Sequence, residues 1–143
     1  MSYRRAAFLD ALHSSAAKDT MTREYPVVPP KSSLEQVVHQ YALVSGFNYF
    51  AVAEDNKLLG IVNIAQIKRV RKKKWVLKTA GDVMTPVKRL RTVPSGVPAD
   101  IVIEIMDQFR IDDLPVMEQD ELIGVVVRDR LTNLAWVRAE LKS

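Results

Sequence analysis

The sequence predicts a mixed α/β fold, of the α+β type, in which two tandem β-α-β-β-α units pack face to face with pseudo-twofold symmetry. Two observations support this prediction. Four short segments recur in the same order at an offset of 63 to 65 residues, and in each copy an amphipathic stretch lies between short apolar runs. One such unit is too small to cover both faces of its sheet, so two copies would bury their apolar faces together.

The repeat is read directly from the aligned segments. Residues 19–22 recur as 82–85, 27–29 as 92–94, 50–52 as 114–116 and 58–62 as 122–126. An ordered set of four matches indicates a duplication. We therefore expect an N-terminal linker helix at 1–15, a first domain at 16–75 and a second at 76–143.

The first copy begins with a short strand at Val27-Val28 that ends in proline. A helix follows, with either Ser32 or Ser33 as its N-cap. The apolar stripe of this helix has helical spacing and consists of Leu34, Val37, Val38, Tyr41 and Ala42. A hairpin with strands at 49–53 and 58–62 comes next, joined by the polar tetrad 54–57, and a last helix runs from 64 to about 71.

The second copy repeats this order. A strand is expected at 90–93, and a helix is expected after Pro98, whose fixed φ suits a helix start. The apolar stripe of this helix consists of Ile101, Val102, Ile105, Met106 and Phe109. The hairpin has strands at 114–117 and 122–127, joined by 118–121, and the last helix runs from 128 to about 141.

Composition excludes several classes of protein. The chain of 143 residues has a net charge of +4 and no cysteine, which excludes disulfides and thiolate metal sites. Its apolar runs are far shorter than the ~20 residues of a membrane-spanning helix, so we expect a cytoplasmic location. His13 and His39 stand apart from any nucleophile or metal-ligand pattern, and the five glycines are scattered. We therefore expect no catalytic residues, no metal site and no enzyme activity.

The ordered motifs resemble the cystathionine β-synthase (CBS) domain. They are an Asp-x-Met-Thr turn, a valine-proline strand end, an amphipathic helix, an apolar strand and a Gly-Ile/Val-Val strand, each present twice. Two such domains in tandem resemble a Bateman module, and the resemblance covers residues 16–143. It implies that an adenine nucleotide (AMP, ADP, ATP or an adenosyl compound) binds in the clefts between the copies.

A narrower resemblance is to the C-terminal CBS region of site-2-protease-like zinc metallopeptidases. It rests on the opening stretch 2–12 and on the linker 70–75, which is followed by 80–86. It implies that the chain is the regulatory tail of a membrane metalloprotease, on the cytosolic face. The His-Glu-x-x-His motif of such proteases is absent from this chain. The alternative for the opening stretch is an ordinary amphipathic helix whose Phe8, Leu9 and Leu12 pack on the core.

The resemblance also places the ligand site at the end of the last strand of each copy, in a Gly-x-x-Thr-x-x-Asp stretch. This sequence has Asn63 and Gln66 at the threonine and aspartate positions of the first copy, and Val127 and Arg130 in the second. The two amides can hydrogen-bond a sugar without charge, and Arg130 can pair with a phosphate. The other ligand-binding candidates lie in or next to the predicted strands and are Val28, Pro29, Ala51, Thr92, Pro115 and Arg128.

A run of basic residues just before Trp75 is the strongest charge feature. It consists of Lys68, Arg69, Arg71, Lys72, Lys73 and Lys74. Acidic lipid headgroups or nucleic-acid phosphates would attract such a run, whereas the structural alternative is a solvated helix end and linker. Nucleic acid is the least favoured partner, because a single tryptophan does not make a base-stacking platform.

Taken together, these features predict a non-catalytic regulatory and interaction module that forms homodimers by stacking helices of both copies. A ligand would act on it by binding one arrangement better than another. Two alternatives stay open: a stand-alone adenine-nucleotide sensor, and a nucleic-acid-associated protein that uses residues 68–75.

Overall fold

A computed structural model describes residues 3–142 of the chain. In chain order the helices are α1 (Tyr3–Ser14), α2 (Ala17–Thr20), α3 (Leu34–Gln36), α4 (Leu43–Ser45), α5 (Ile64–Lys68), α6 (Ala80–Val83), α7 (Ala99–Phe109) and α8 (Arg128–Lys142). The strands are β1 (Val27–Val28), β2 (Tyr49–Glu54), β3 (Lys57–Asn63), β4 (Thr85–Pro86), β5 (Asp113–Glu118) and β6 (Glu121–Val127). The predicted mixed α/β class is confirmed.

The chain forms two compact units. The middle unit runs from Glu24 to Leu90, and the flanking unit combines the segment up to Arg23 with the segment from Arg91 onward. These limits differ from the predicted domain boundaries at 16–75 and 76–143. The difference arises because the short segment at the start of each sequence repeat belongs to the unit built around the other repeat's hairpin.

A four-stranded sheet organises the middle unit, in the order β1-β2-β3-β4. Strand β1 pairs in parallel with β2, and the other pairs are antiparallel. The register places Tyr49 opposite Asn63 and Ile61 opposite Thr85. One side of this sheet meets a core of fully buried side chains, among which Phe50, Leu34 and Ile67 are the largest.

The helix that follows β1 begins at a capping box. The Ser33 hydroxyl accepts a hydrogen bond from the Gln36 amide (3.1 Å), and Gln36 Oε1 accepts one from the Ser33 amide (2.9 Å). Ser33 is therefore the cap, of the two serines predicted. The helix then passes through a π-helical stretch, Val37–Ala42, before α4. The helix that follows β3, α5, ends at Lys68, which is earlier than the predicted end near 71.

The flanking unit is built around the hairpin β5-β6. Single bridges replace the outer strands: Val93 pairs in parallel with Val116, and Thr22 pairs antiparallel with Val125. The predicted strand at 90–93 is therefore wrong except for Val93. Leu90 instead ends a 3-10 turn, Val87–Arg89, and so the chain has little length left in which to extend beside β5.

Both hairpins turn through two residues with left-handed backbone. These are Asp55 and Asn56 in the middle unit, with φ of 53° and 63°, and Gln119 and Asp120 in the flanking unit, with φ of 50° and 66°. Two consecutive positive φ values are typical of the turn whose twist suits an antiparallel pair. The prediction of a hairpin around each polar tetrad is confirmed.

Helix α1 lies along α8 in the flanking unit. The rings of Phe8 and Trp136 stack with their centroids 4.3 Å apart, and Leu12 is buried. The predicted packing of Phe8 and Leu12 is therefore confirmed, but Leu9 is largely exposed, contrary to the prediction. Helix α7 begins after Pro98, as predicted.

Each unit contains a glycine covered by a methionine from the other sequence repeat. In the middle unit, a Cβ on Gly60 would lie 2.8 Å from Met84 Sδ. In the flanking unit, a Cβ on Gly124 would lie 2.7 Å from Met21 Cγ. The two Asp-x-Met-Thr motifs are thus equivalent in topology, and their methionines explain why the facing strand position is glycine.

Candidate functional site

The junction between β3 and α5 in the middle unit is formed by a reciprocal pair of amide side chains. Asn63 Oδ1 accepts a hydrogen bond from the Gln66 amide (2.9 Å), and Gln66 Oε1 accepts one from the Asn63 amide (2.8 Å). This is a capping box in which an asparagine and a glutamine serve as the two partners. Both predicted site residues are therefore held in place by the helix start.

A third polar side chain completes this junction. Gln66 Nε2 donates a hydrogen bond of 2.8 Å to Thr85 Oγ1, and β4 brings Thr85 beside Ile61 of β3. We call Asn63, Gln66 and Thr85 the amide junction. Its groups are neutral hydrogen-bonding groups of a kind that can hold sugar hydroxyls, and none of them is suited to acid-base catalysis.

The equivalent junction in the flanking unit has different side chains on the same backbone. The amide of Arg128 donates to Asp112 O at 2.9 Å, just as the amide of Ile64 donates to Asn48 O at 2.9 Å in the middle unit. Val127 takes the place of Asn63, so the start of α8 has no polar cap from that position. This junction has lost the side chains that make the capping box.

Arg128 is held by carboxylates of its own unit. Its guanidinium donates to Asp107 Oδ1 (2.5 Å), to Asp112 Oδ1 (3.3 Å) and to the carbonyl of Ile111 (3.2 Å). The hydrogen bond that Arg128 donates to Asp107 is the main cause of the raised pKa of Arg128. These hydrogen bonds use most of the donors of Arg128 and leave few for a ligand. The role of Arg128 as a ligand contact stays a prediction, and these contacts argue against it. Arg130 is exposed.

The other predicted ligand contacts are spread over both units. Val28 and Ala51 are buried in the sheet of the middle unit, and Pro29 is exposed after β1. Val28 lies opposite Val52, whereas Asn63 lies opposite Tyr49, so about 10 Å of strand separates these two levels of the sheet.

In the flanking unit two of the predicted contacts lie close together. Pro115 is buried and its carbonyl accepts a hydrogen bond from the Val93 amide (3.1 Å). This bond brings the exposed Thr92, the preceding residue, near Pro115. The role of each of these residues in binding stays a prediction.

A buried carboxyl group beside the second junction was not anticipated from the sequence. Asp113 lies opposite Val127, at the position that Tyr49 holds opposite Asn63. Burial, followed by the charge of Asp112, raises the pKa of Asp113 to about 6. Its Oδ1 is enclosed and makes no hydrogen bond in the part of the chain that the structure describes. Asp112 and Asp113 are adjacent acidic residues with no local feature that distinguishes them, yet Asp112 is exposed and Asp113 is partly buried.

The amide junction also contains a residue that sequence reasoning missed, Thr85. The Met-Thr repeat was visible in the sequence, but it did not reveal that Thr85 would pair with the hairpin of the first repeat. Thr85 reaches Gln66 through the pairing of β4 with β3, which a local motif does not specify.

Among residues 3–142, no helix is long and apolar enough to cross a membrane. Within the same range, no group of three or more histidine, cysteine or carboxylate side chains is placed to hold a metal ion.

Solved structures share this architecture. A conserved protein from Pyrococcus horikoshii is 19% identical with a TM-score of 0.77, covering 86% of this chain and 93% of its own. The CBS domain pair of protein MJ0100, in complex with 5-methylthioadenosine and S-adenosyl-L-methionine, is 20% identical with a TM-score of 0.72, covering 84% and 94%. CBSX2 in complex with AMP is 22% identical with a TM-score of 0.73, covering 91% and 100%. These likenesses show the fold.

A relative from Synechocystis sp., named as a candidate zinc metalloprotease, is 22% identical over 128 residues. The match takes in 87% of this chain but 34% of the relative, so the chain spans about a third of the length of the curated protein it matches.

The model of the CBS domain matches residues 17–73 and again residues 80–136. Together the two matched segments take in most of the chain. This chain therefore belongs to the CBS domain family, as a tandem pair.

Proposed function

We propose that this CBS pair is a non-catalytic regulatory module that binds an adenosine-type ligand at the amide junction. Ligand binding would then regulate a protein to which the module is attached. The observation that supports this most is the hydrogen-bonded set Asn63, Gln66 and Thr85 at the end of β3. These side chains are fixed in position before any ligand arrives, which lowers the entropic cost of binding.

The ligand class follows from the chemistry of the junction and from the neighbours. Two of the solved CBS structures hold AMP or adenosyl compounds. In this chain the junction offers neutral amides and a hydroxyl, so it would hold the ribose hydroxyls by uncharged hydrogen bonds. Such bonds are weaker than those to a carboxylate, and we expect affinities in the micromolar range or weaker.

We further propose that the chain is a C-terminal part of a longer membrane metalloprotease of the site-2 type, positioned on the cytosolic side. The support for this is the Synechocystis relative, of which the chain matches about a third. In that setting the module would act as a homodimer, and ligand binding would change the protease through a difference in affinity between two arrangements of the module. A stand-alone adenine-nucleotide sensor is the second candidate, and the same ligand neighbours favour it.

Calorimetric titration of the full chain with AMP, ADP, ATP, S-adenosylmethionine and 5-methylthioadenosine tests the ligand proposal. We expect heat of binding for at least one compound. Thr85→Val should weaken that binding about tenfold, because it removes the hydroxyl and leaves the capping box of Asn63 and Gln66 in place. Lys57→Ala, at the exposed start of β3, serves as the control and should leave the affinity unchanged. Flat titrations with all five compounds would overturn adenosine binding.

The protease proposal has a separate test. Sequencing the genomic DNA on both sides of the coding region should reveal an adjoining His-Glu-x-x-His helix and membrane-spanning segments in the same reading frame. A stop codon directly before Met1, in frame, would reject the protease tail and leave the stand-alone sensor.

A further inference from the structure

One surface of the middle unit has an unusual charge distribution. The segment 68–78, which we call the basic loop, contains seven lysine or arginine residues, and no acidic residue occurs between Asp55 and Asp82. Within residues 5–141, none of the ion pairs that the structure shows involves a side chain of this loop. Lys78 lies near enough to Asp82 to help lower the pKa of that carboxyl, and the other six basic residues of the loop present positive charge that none of these ion pairs offsets.

The basic loop is held in a defined shape. A 3-10 turn spans Lys72–Lys74, and Trp75 Nε1 donates to the carbonyl of Val70 at 3.0 Å. The loop is also tied to the start of α3, because the Glu35 amide donates to Trp75 O at 3.1 Å and the Leu34 amide donates to Lys78 O at 2.9 Å. The basic loop therefore does not have to become ordered when a partner binds to it.

Two aliphatic side chains are exposed within the loop. Val76 and Leu77 directly follow the lysine run, and they are 62% and 76% exposed. Exposed aliphatic residues surrounded by lysine and arginine combine the two forces that hold proteins on anionic bilayers, apolar insertion and electrostatic attraction.

The same details weigh against nucleic acid as the partner. A nucleic-acid surface uses aromatic faces for stacking, but Trp75 packs against the core of the middle unit and has Lys72 Nζ 5.9 Å from its ring centroid. Val76 and Leu77 offer nothing to a phosphate backbone, whereas both can enter the region between lipid headgroups.

We propose that the basic loop docks this chain on an anionic lipid surface, with Val76 and Leu77 entering the headgroup layer and the lysines pairing with lipid phosphates and carboxylates. The proposal concerns this chain by itself. It depends neither on ligand binding at the amide junction nor on a protease being attached.

Co-sedimentation of the full chain with vesicles tests the proposal. We expect binding to vesicles in which about a third of the lipid is phosphatidylserine, and little binding to pure phosphatidylcholine. Near an anionic surface each lysine contributes roughly fivefold in partitioning, so Lys72→Gln/Lys73→Gln/Lys74→Gln should weaken binding by about a hundredfold. Val76→Ser/Leu77→Ser should weaken it by about tenfold and should make the remaining binding more sensitive to salt.

Two matched controls separate this surface from general charge or general hydrophobicity. Lys57→Gln/Lys88→Gln/Arg89→Gln removes the same charge from elsewhere in the middle unit. Leu43→Ser/Val44→Ser removes a second exposed aliphatic pair, 71% and 77% exposed. Both variants should bind vesicles like the original chain, and circular dichroism should show all four variants folded.

Three results would overturn the proposal. One is equal binding to neutral and anionic vesicles, and another is equal weakening by the loop variants and their controls. The third is salt-dependent binding to DNA or RNA, without vesicle binding, that survives Val76→Ser/Leu77→Ser, which would assign the loop to nucleic acid.

Discussion

The two strand-to-helix junctions of this chain share a backbone and differ in chemistry. In the middle unit Asn63 and Gln66 form a capping box that reaches Thr85. In the flanking unit Val127 and Arg130 replace the two amides, and Arg128 turns to Asp107 and Asp112 instead. The two repeats keep the same backbone hydrogen bond and differ in their side chains, so one junction has neutral hydrogen-bonding groups while the other has ion pairs within its own unit.

The largest expected difference between the units concerns their glycines. At Gly60 an added Cβ would collide with the backbone oxygen of Thr85, whereas at Gly124 the nearest atoms belong to the flexible side chain of Met21. Gly60→Ala should therefore lower the free energy of unfolding by about 3 kcal/mol, and Gly124→Ala by about 1 kcal/mol. Urea unfolding followed by circular dichroism measures both, and equal losses would contradict the comparison.

A smaller effect is expected at Asp113, which lies opposite Val127. Because the folded pKa, about 6, is above the ordinary value of 3.8, the folded state binds this proton more tightly than the unfolded state. Stability from this group is therefore fully present below pH 3.8 and is lost as the pH rises through 6. Allowing for partial solvent screening, Asp113→Asn should stabilise the chain at pH 8 by about 1–2 kcal/mol.

The measurement is the free energy of unfolding between pH 4 and pH 8. Asp113→Asn should flatten the change seen around pH 6 in the original chain. Tyr49→Phe, at the equivalent position of the middle unit, removes no carboxyl group and should leave that change in place. A persistent step near pH 6 in Asp113→Asn would assign the titration to another group.

The smallest expected effect on stability comes from giving the junction of the flanking unit the side chains of the amide junction. Val127→Asn combined with Arg130→Gln would install at α8 the capping box that Asn63 and Gln66 form at α5. A polar N-cap is typically worth ~1 kcal/mol, and burial of the half-buried Val127 is lost in exchange, so we expect a gain of about 0.5 kcal/mol. Thermal unfolding checks this, with Val127→Ala as the control that loses stability.

Much of the fold could be predicted from local chemistry. The polar tetrads between apolar runs predicted both hairpins, and a helix start was predicted at either Ser32 or Ser33, of which the structure has Ser33. The strand at 90–93 was mispredicted except for Val93, since Thr92-Val93-Pro94 resembles Val27-Val28-Pro29 in sequence while the segment just before it, Val87–Arg89, forms a 3-10 turn.

The candidate site was less predictable. Asn63 and Gln66 were found by alignment to a motif, but their partner Thr85 is 19 residues beyond Gln66 and reaches it through strand pairing. Local patterns do not encode which strand pairs with which when two similar hairpins are available. The partial burial of Asp113 was missed for the same reason. It depends on tertiary packing, which the adjacent residues in the sequence do not indicate.

The segment with Met21 packs on the hairpin of the second repeat, and the segment with Met84 packs on the hairpin of the first. This exchange limits where the chain can be cut into parts that fold. A polypeptide cut between the repeats would contain a hairpin whose glycine is no longer covered by a methionine. Its own methionine would lack the glycine that it covers in the intact chain. Neither fragment would be a finished domain, and the two would be expected to regain order only when mixed. Because each hairpin glycine is covered by a methionine of the other repeat, we expect the two repeats to fold only together.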